Sequence, residues 1–199
     1  MSALNMKKLF PLIFLIMGIG CATNTPPPNF APNDVGLIKN RANADLRSIS
    51  VTIAQPQEQI GKKIKLGQQA IYSAAWGDVP GHWKNALENA LIRANAFDLT
   101  SEKKVSVLVK VLQYWQPSMS GTFPTTVTAQ YDILDASTGS IVFSSTIETV
   151  GKTEMSHAFV GAIRSLESQN RAVQMNIIQF IQQLEGADLS KPIFPGRQK

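Results

Sequence analysis

Three stretches of alternating residues in the second half of the chain constrain the fold more than any other feature. They cover residues 104–114, 125–134 and 140–150. Alternation with a period of two, carried by β-branched residues, is typical of half-buried strands. The first stretch shows it most clearly, with one side formed by Val105, Val107, Val109 and Val111. The segment from Asp135 to Gly139 predicts a tight turn with a positive φ at the glycine. Because the connections are short, we predict a three-stranded antiparallel meander.

Apolar residues spaced three and four apart predict two amphipathic helices. The first covers residues 82–97, and its apolar face consists of Trp83, Leu87, Ala90, Leu91 and Ala94. The second covers residues 156–185, and its stripe consists of Phe159, Ile163, Leu166, Val173, Ile177, Phe180 and Leu184, with Asn170 as a polar member. A further alternating run at 46–54 predicts a strand before the first helix. Residues 60–75 leave the choice between strand and loop open.

These elements predict an α+β fold with an antiparallel β-sheet. The order is strand, helix, three-stranded meander and long C-terminal helix, and we expect the helices to pack on one face of the sheet.

The beginning of the chain has the pattern of an export signal. Lys7 and Lys8 precede an apolar run at 9–19, and Gly20 precedes Cys21, the one cysteine of the chain. A run of about eleven residues fits a secretory signal and is too short for a bilayer, which needs about 20 apolar residues. The stretch resembles the signal peptide of a bacterial lipoprotein, which implies that Cys21 is acylated and becomes the new N-terminus.

Two other interpretations of this stretch stay open. Ordinary signal peptidase could cleave after Ala22, or the segment could remain as an uncleaved anchor. A lone cysteine favours lipidation, because an exported domain that relies on disulfides needs cysteine pairs. Ala22 after the cysteine, where no aspartate signals retention in the inner membrane, predicts an outer-membrane protein that faces the periplasm of a Gram-negative bacterium.

The composition divides the chain into four segments. We expect a signal peptide at 1–20, a lipidated N-terminus and proline-rich tether at 21–44, a periplasmic domain at 45–186 and a loose tail at 187–199. Residues 22–34 could equally be an ordinary disordered N-terminus. The formal charge is +5, and the basic residues are scattered, so we expect no nucleic-acid partner.

The sequence offers little catalytic chemistry. His82 and His157 are far apart in the chain and match no zinc motif, so we expect no metal and no cofactor. Asp135 is interpreted as a turn residue rather than a general acid, and we expect a protein that is not an enzyme. Asn170 could satisfy a buried backbone group or mark the place where the stripe leaves the sheet, and we expect it to be accommodated in the core rather than to contact a ligand.

One loop is a candidate binding site. It carries three apolar residues between the first two strands of the meander: Trp115, Met119 and Phe123. Such residues either fold back over the edge of the core or contact a partner.

Two resemblances bear on function. The pattern Arg171-Ala-Val-x-x-Asn176-Ile-x-x-Phe180-Ile-x-x-Leu184 is similar to that of small uncharacterised periplasmic lipoproteins. The patterns Trp83-x-x-x-Leu87 and Tyr131-x-x-x-Asp135-x-x-Thr138-Gly139 resemble, more weakly, auxiliary lipoproteins of ABC-type lipid-transport systems. The resemblance implies a non-enzymatic adaptor in envelope assembly or transport, with the bilayer and another envelope protein as partners. Direct binding of a lipid or small hydrophobe is the alternative, and a hydrolase is a distant third.

Overall fold

The computed structural model describes residues 26–61, 78–117 and 121–194. The predicted signal peptide with Cys21, most of the undecided segment at 60–75, and Met119 lie outside the described residues. Within them, four strands and two helices follow one another: β1 (Asp45–Ile53), α1 (Val79–Ala94), β2 (Lys104–Trp115), β3 (Phe123–Asp135), β4 (Ile141–Thr153) and α2 (Gly161–Leu184). This confirms the predicted α+β class and the predicted order of elements.

The sheet has the strand order β1-β2-β3-β4. The pairs β2–β3 and β3–β4 are antiparallel, which confirms the meander. The turn between β3 and β4 has the predicted chemistry, because Asp135 Oδ1 accepts hydrogen bonds from the backbone N–H groups of Ser137 at 2.8 Å and Thr138 at 3.2 Å. Gly139 has a φ of 69°.

The pairing of β1 corrects one part of the prediction. β1 runs parallel to β2, so the sheet is mixed and not antiparallel throughout. The physical reason is the connection between the two strands. It contains α1, and a helical crossover returns the chain to the edge from which it started, so that the next strand points the same way.

Both helices pack on the valine side of β2. The shared core contains Trp83 and Leu87 from α1, Tyr131 from β3, and Ile177 and Phe180 from α2, all of them fully buried. The Tyr131 and Phe180 rings stack with their centroids 4.2 Å apart. The predicted apolar faces of both helices are therefore confirmed over most of their length.

The ends of the helices differ from the prediction. α1 begins at Val79, where the Asp78 side chain accepts a hydrogen bond from Gly81 N at 2.9 Å and Pro80 occupies the first turn. α2 begins at Gly161 rather than at 156, because a 3₁₀ turn at Met155–His157 and an extended Ala158 interrupt the chain there. Phe159 therefore lies outside the helix and is fully exposed, although its spacing to Ile163 fits the stripe.

Residues on both sides of the predicted domain bounds at 45 and 186 are packed. Phe30 is buried against the rings of Trp83 and His82, at centroid distances of 6.4 and 6.3 Å. Ile38 N donates to Ala94 O at 3.0 Å. At the other end, Leu189 is buried, and Ile193 N donates to Ile141 O at 2.9 Å. The packed structure thus includes most of the segment expected to be a tether and the first part of the expected tail, because a few apolar residues there find places in the core.

Candidate functional site

The candidate loop is held at its base by Gln116. Its Oε1 accepts hydrogen bonds from Ser165 Oγ at 2.6 Å and from Gln169 Nε2 at 3.0 Å. Its Nε2 lies 2.8 Å from Thr125 Oγ1 and 2.9 Å from Ser168 Oγ. This amide therefore joins the end of β2 and the start of β3 to the first half of α2.

The polar network continues into the core through tyrosine. Tyr114 Oη donates to Gln169 Oε1 at 2.5 Å, and full burial raises the pKa of the Tyr114 phenol well above its usual range. Thr125 and Ser168 share a further hydrogen bond between their hydroxyl groups. Because every group in this network is paired, its role is to fix the loop against α2.

The three predicted site residues have different outcomes. Phe123 is the first residue of β3 and is only 8% exposed. Trp115 is half-buried at the end of β2. Met119 lies outside the described residues, so a joint role of the three stays a prediction.

The surface beside Phe123 is apolar and exposed. It consists of residues from the segment between β4 and α2 and from the first turn of α2. We call it the distal patch: Met155, Phe159, Val160 and Ile163, with exposed fractions of 65%, 100%, 44% and 40%. It adjoins the candidate loop, because a Cβ added at Gly121 would lie 3.3 Å from Met155 Sδ. Exposed apolar clusters of this kind mark sites of interaction.

A buried arginine lies beneath the distal patch. Arg164 is 8% exposed, and its Nη1 donates to Ala158 O at 2.5 Å and to Phe159 O at 2.9 Å. Its guanidinium carbon lies 5.5 Å from the centroid of the Phe123 ring, a cation–π distance. The sequence pattern did not predict a role for this residue, because an arginine in an amphipathic helix normally lies on the solvent-facing side.

A second surface lies between β4 and α2. It is an open groove lined by Val150, Lys152, Arg171, Gln174, Met175 and Ile178. Arg171 Nε pairs with Glu167 Oε1 at 2.7 Å, and its Nη1 donates to Lys152 O at 3.0 Å. Lys152 has no carboxylate partner among the residues that the structure describes.

Asn170 accepts a hydrogen bond from a part-buried backbone group. Its Oδ1 accepts from Asn29 N at 3.0 Å, and Gln174 Nε2 donates to Asn29 O at 2.8 Å. The N-terminal segment therefore meets the domain at the middle of α2.

The described residues contain no group of three or more His, Cys, Asp or Glu side chains that could hold a metal ion. Among the described helices, none is long and apolar enough to cross a bilayer. Asp132 Oδ1 accepts a hydrogen bond from Ser144 Oγ at 2.5 Å, across the paired strands β3 and β4.

No family model matches the chain, and no curated protein matches it. Several solved structures do match the chain. A Xanthomonas campestris protein of family DUF330 is 8% identical, with a TM-score of 0.54, and the alignment covers 79% of this chain and 94% of that one. The PelC dodecamer of Paraburkholderia phytofirmans is 12% identical, with a TM-score of 0.46 and coverage of 76% and 93%. A minor lipoprotein of Acinetobacter baumannii is 15% identical, with a TM-score of 0.40 and coverage of 70% and 90%.

These similarities define a fold. The DUF330 protein shares the four-stranded sheet covered by helices, and at this level of identity nothing further about either protein follows. The other two structures have TM-scores below 0.5, so nothing about function or assembly follows from their similarity.

Proposed function

We propose that this chain is a lipoprotein that is anchored through acylated Cys21 to the outer membrane and faces the periplasm. In this proposal the folded domain is a non-enzymatic binding module, an adaptor for another protein of the cell envelope. The export signal and the lone cysteine of the sequence support the anchor.

The observation that carries the binding role is a filled core with apolar side chains left on the outside. Trp83, Tyr131 and Phe180 occupy the space between the sheet and the helices. A ligand in that space would have to displace them, so the packing favours an adaptor over internal binding of a lipid or small hydrophobe. The exposed apolar side chains are then available to a partner on the surface.

The groove between β4 and α2 is the best place for a protein partner. Its floor is apolar, with Val150 and Met175 more than one-third exposed, and β4 is an edge strand of the sheet. The Lys152 ammonium at the rim lacks a carboxylate partner in the described part of the chain. These features fit an extended partner segment that combines apolar side chains with an acidic one.

Photocrosslinking in intact cells tests this proposal. A photoreactive amino acid at Met175 should give a crosslinked product of defined mass, and Lys152→Glu in the same chain should weaken it. The same amino acid at Ile92, an exposed apolar position on α1, is the control and should give no such product. Equal products from both positions, or none from Met175, would contradict the groove as the partner site.

A further inference from the structure

The guanidinium of Arg164 is buried without a counter-charge. Its Nε has no hydrogen-bond partner and is shielded from solvent. No carboxylate in the described part of the chain forms an ion pair with it. Buried arginines are normally paired, because removing a charge from water costs several kcal/mol.

The position of Arg164 at the start of a helix raises the free-energy cost of leaving its charge unpaired. Arg164 lies in the first turn of α2, where the helix dipole already supplies partial positive charge. The first turn contains no acidic residue, and no side chain caps it. The backbone N–H groups of Gly161 and Ala162 have no acceptor among the described residues. Arg164 Nη2 lies 3.8 Å from the place where a Gly161 Cβ would be, so the guanidinium lies beside the first residue of the helix.

A second buried polar atom without a partner belongs to the same end of the molecule. Thr153 is fully buried, and its Oγ1 lacks a partner. Thr153 is paired in the sheet with Phe123, whose ring faces the Arg164 guanidinium. Unsatisfied buried groups are rare in native proteins and call for a specific explanation.

Apolar side chains surround Arg164, and several of them are exposed to solvent. The distal patch lies over it, and Phe159 exposes its whole side chain. The nearest chain segment carries two titratable groups, Glu154 and His157, and the Glu154 carboxylate accepts a hydrogen bond from Thr122 Oγ1 at 3.0 Å. A positive site ringed by bulky apolar side chains matches the boundary between lipid headgroups and acyl chains.

The tether length is compatible with contact between the patch and the membrane. Eight residue steps separate Cys21 from Asn29, and an extended chain of that length spans at most about 28 Å. Asn29 is bound to Asn170, which lies about 9 Å along α2 from Arg164 at 1.5 Å per residue. An anchored Cys21 therefore allows the start of α2 to reach the bilayer.

We propose that Arg164 and the free N–H groups at the start of α2 bind the phosphate of an anionic phospholipid headgroup, while the distal patch inserts among the neighbouring acyl chains. The membrane is thus bound twice, through the acyl anchor and through this site. This inference rests on the anchoring part of the proposed function. It assigns the distal patch to lipid and leaves the groove between β4 and α2 to the protein partner.

The test uses the acylated full chain in vesicles, with a reporter at the patch. Because Cys21 is the only cysteine and is acylated, Met155→Cys supplies the single free thiol for an environment-sensitive dye. Vesicles contain phosphatidylcholine alone, or phosphatidylcholine partly replaced with phosphatidylglycerol. Flotation reports anchoring separately from the dye. We expect the protein to float with both kinds of vesicle, and the dye emission to move to shorter wavelength with the anionic vesicles only.

Two variants and a control identify the site. Arg164→Gln and Phe159→Asp should each abolish the shift, the first by removing the cation and the second by placing a carboxylate in the patch that inserts. Phe159 is fully exposed, so its substitution keeps the test valid if Arg164→Gln fails to fold. Ile92→Asp makes the same change of charge on α1 and should leave the shift intact.

Several results would overturn the inference. An equal shift with both vesicles would assign the patch to apolar insertion alone. A shift that survives Phe159→Asp would exclude insertion of the patch, and a shift that survives Arg164→Gln would exclude Arg164. A shift produced in neutral vesicles by added inorganic phosphate would mean that the site takes a free anion. No shift with either vesicle, together with a patch-dependent crosslink to a protein, would assign the patch to a protein partner. Failure to float would instead refute the anchoring in the proposed function.

Discussion

A single methyl group at Gly151 should disrupt the contact between β4 and α2. A Cβ added there would lie 2.5 Å from Ala172 N and 3.1 Å from Ala172 Cα, and closer still to Ser168 O. Real Cβ atoms essentially never approach other atoms to within 3.0 Å. The obstructing atoms belong to the backbone of α2, so no side chain can rotate away and the helix itself must move.

The cost follows from what the helix would lose. Overpacking of a well-packed core costs about 1–3 kcal/mol. Moving α2 would also strain its bonds to β4, in which Thr149 Oγ1 donates to Ala172 O at 2.8 Å and Asn176 Nδ2 donates to Ile147 O at 3.0 Å. Each such bond contributes about 0.5–1.5 kcal/mol. We therefore expect Gly151→Ala to lower the free energy of unfolding by about 2–6 kcal/mol, a large part of the 5–15 kcal/mol typical of a domain.

Urea titration followed by far-UV circular dichroism measures this loss, and thermal unfolding should show a decrease in Tm of about 10 °C. Gly36→Ala is the matched control, because nothing lies within 4 Å of a Cβ there and its φ is not positive. We expect that variant to stay within about 1 kcal/mol of the wild type. Equal stabilities for Gly151→Ala and Gly36→Ala would refute the close packing of α2 on β4.

Three further substitutions test other parts of the structure. Ile177→Asp places a charge in the fully buried stripe of α2 and should lower the free energy of unfolding by several kcal/mol. Gln179→Asp, on the exposed side of the same helix, should lower it by less than about 1 kcal/mol. Similar melting temperatures for the two variants would show that α2 is not docked on the sheet. Phe123→Ser should destabilise the domain by about 1.5–3 kcal/mol in a denaturant titration, and an unchanged midpoint would show that Phe123 does not cap the core. Hydrogen bonds from the Ser137 hydroxyl and backbone hold the pKa of Asp135 well below its usual range, so its stabilising effect is complete above the unfolded pKa of about 3.9 and is lost in stronger acid. The stability difference between wild type and Asp135→Asn should therefore shrink below about pH 4, and a difference that is independent of pH would contradict this.

The alternation of apolar residues predicted the strands well, because burial of one face leaves a period of two in the sequence. Val105 and Val107 could be assigned to the core in this way, and the structure buries both. Period says nothing about the direction of pairing, and the parallel pairing of β1 with β2 was missed for that reason. The order strand, helix, strand was the available signal for a parallel pair.

Helical spacing could not locate the start of α2. Phe159 lies four residues before Ile163 and fits the stripe by spacing, yet the extended Ala158 places it outside the helix. Likewise, three consecutive prolines dominated the interpretation of the N-terminal segment. The burial of Phe30 depends on a pocket beside Trp83 that only the folded structure shows.

The binding role of the loop stays a prediction. The described residue Gly121 of that loop lies beside Met155 of the distal patch. The polar residues were not predicted, because Ser165, Gln169 and Arg164 look like solvent-facing positions of an amphipathic helix. Their burial follows from the closeness of α2 to the sheet at Gly151, which brings them under the loop held by Gln116.

Acylation of Cys21 is the claim on which the proposed function depends most. Labelling of growing cells with a radioactive fatty acid, followed by fractionation of their membranes, tests it directly. We predict that the wild-type chain carries the label and sediments with the outer membrane, and that Cys21→Ser loses the label and leaves the membrane fraction. A wild-type chain without label, or a Cys21→Ser chain that retains it, would contradict the account.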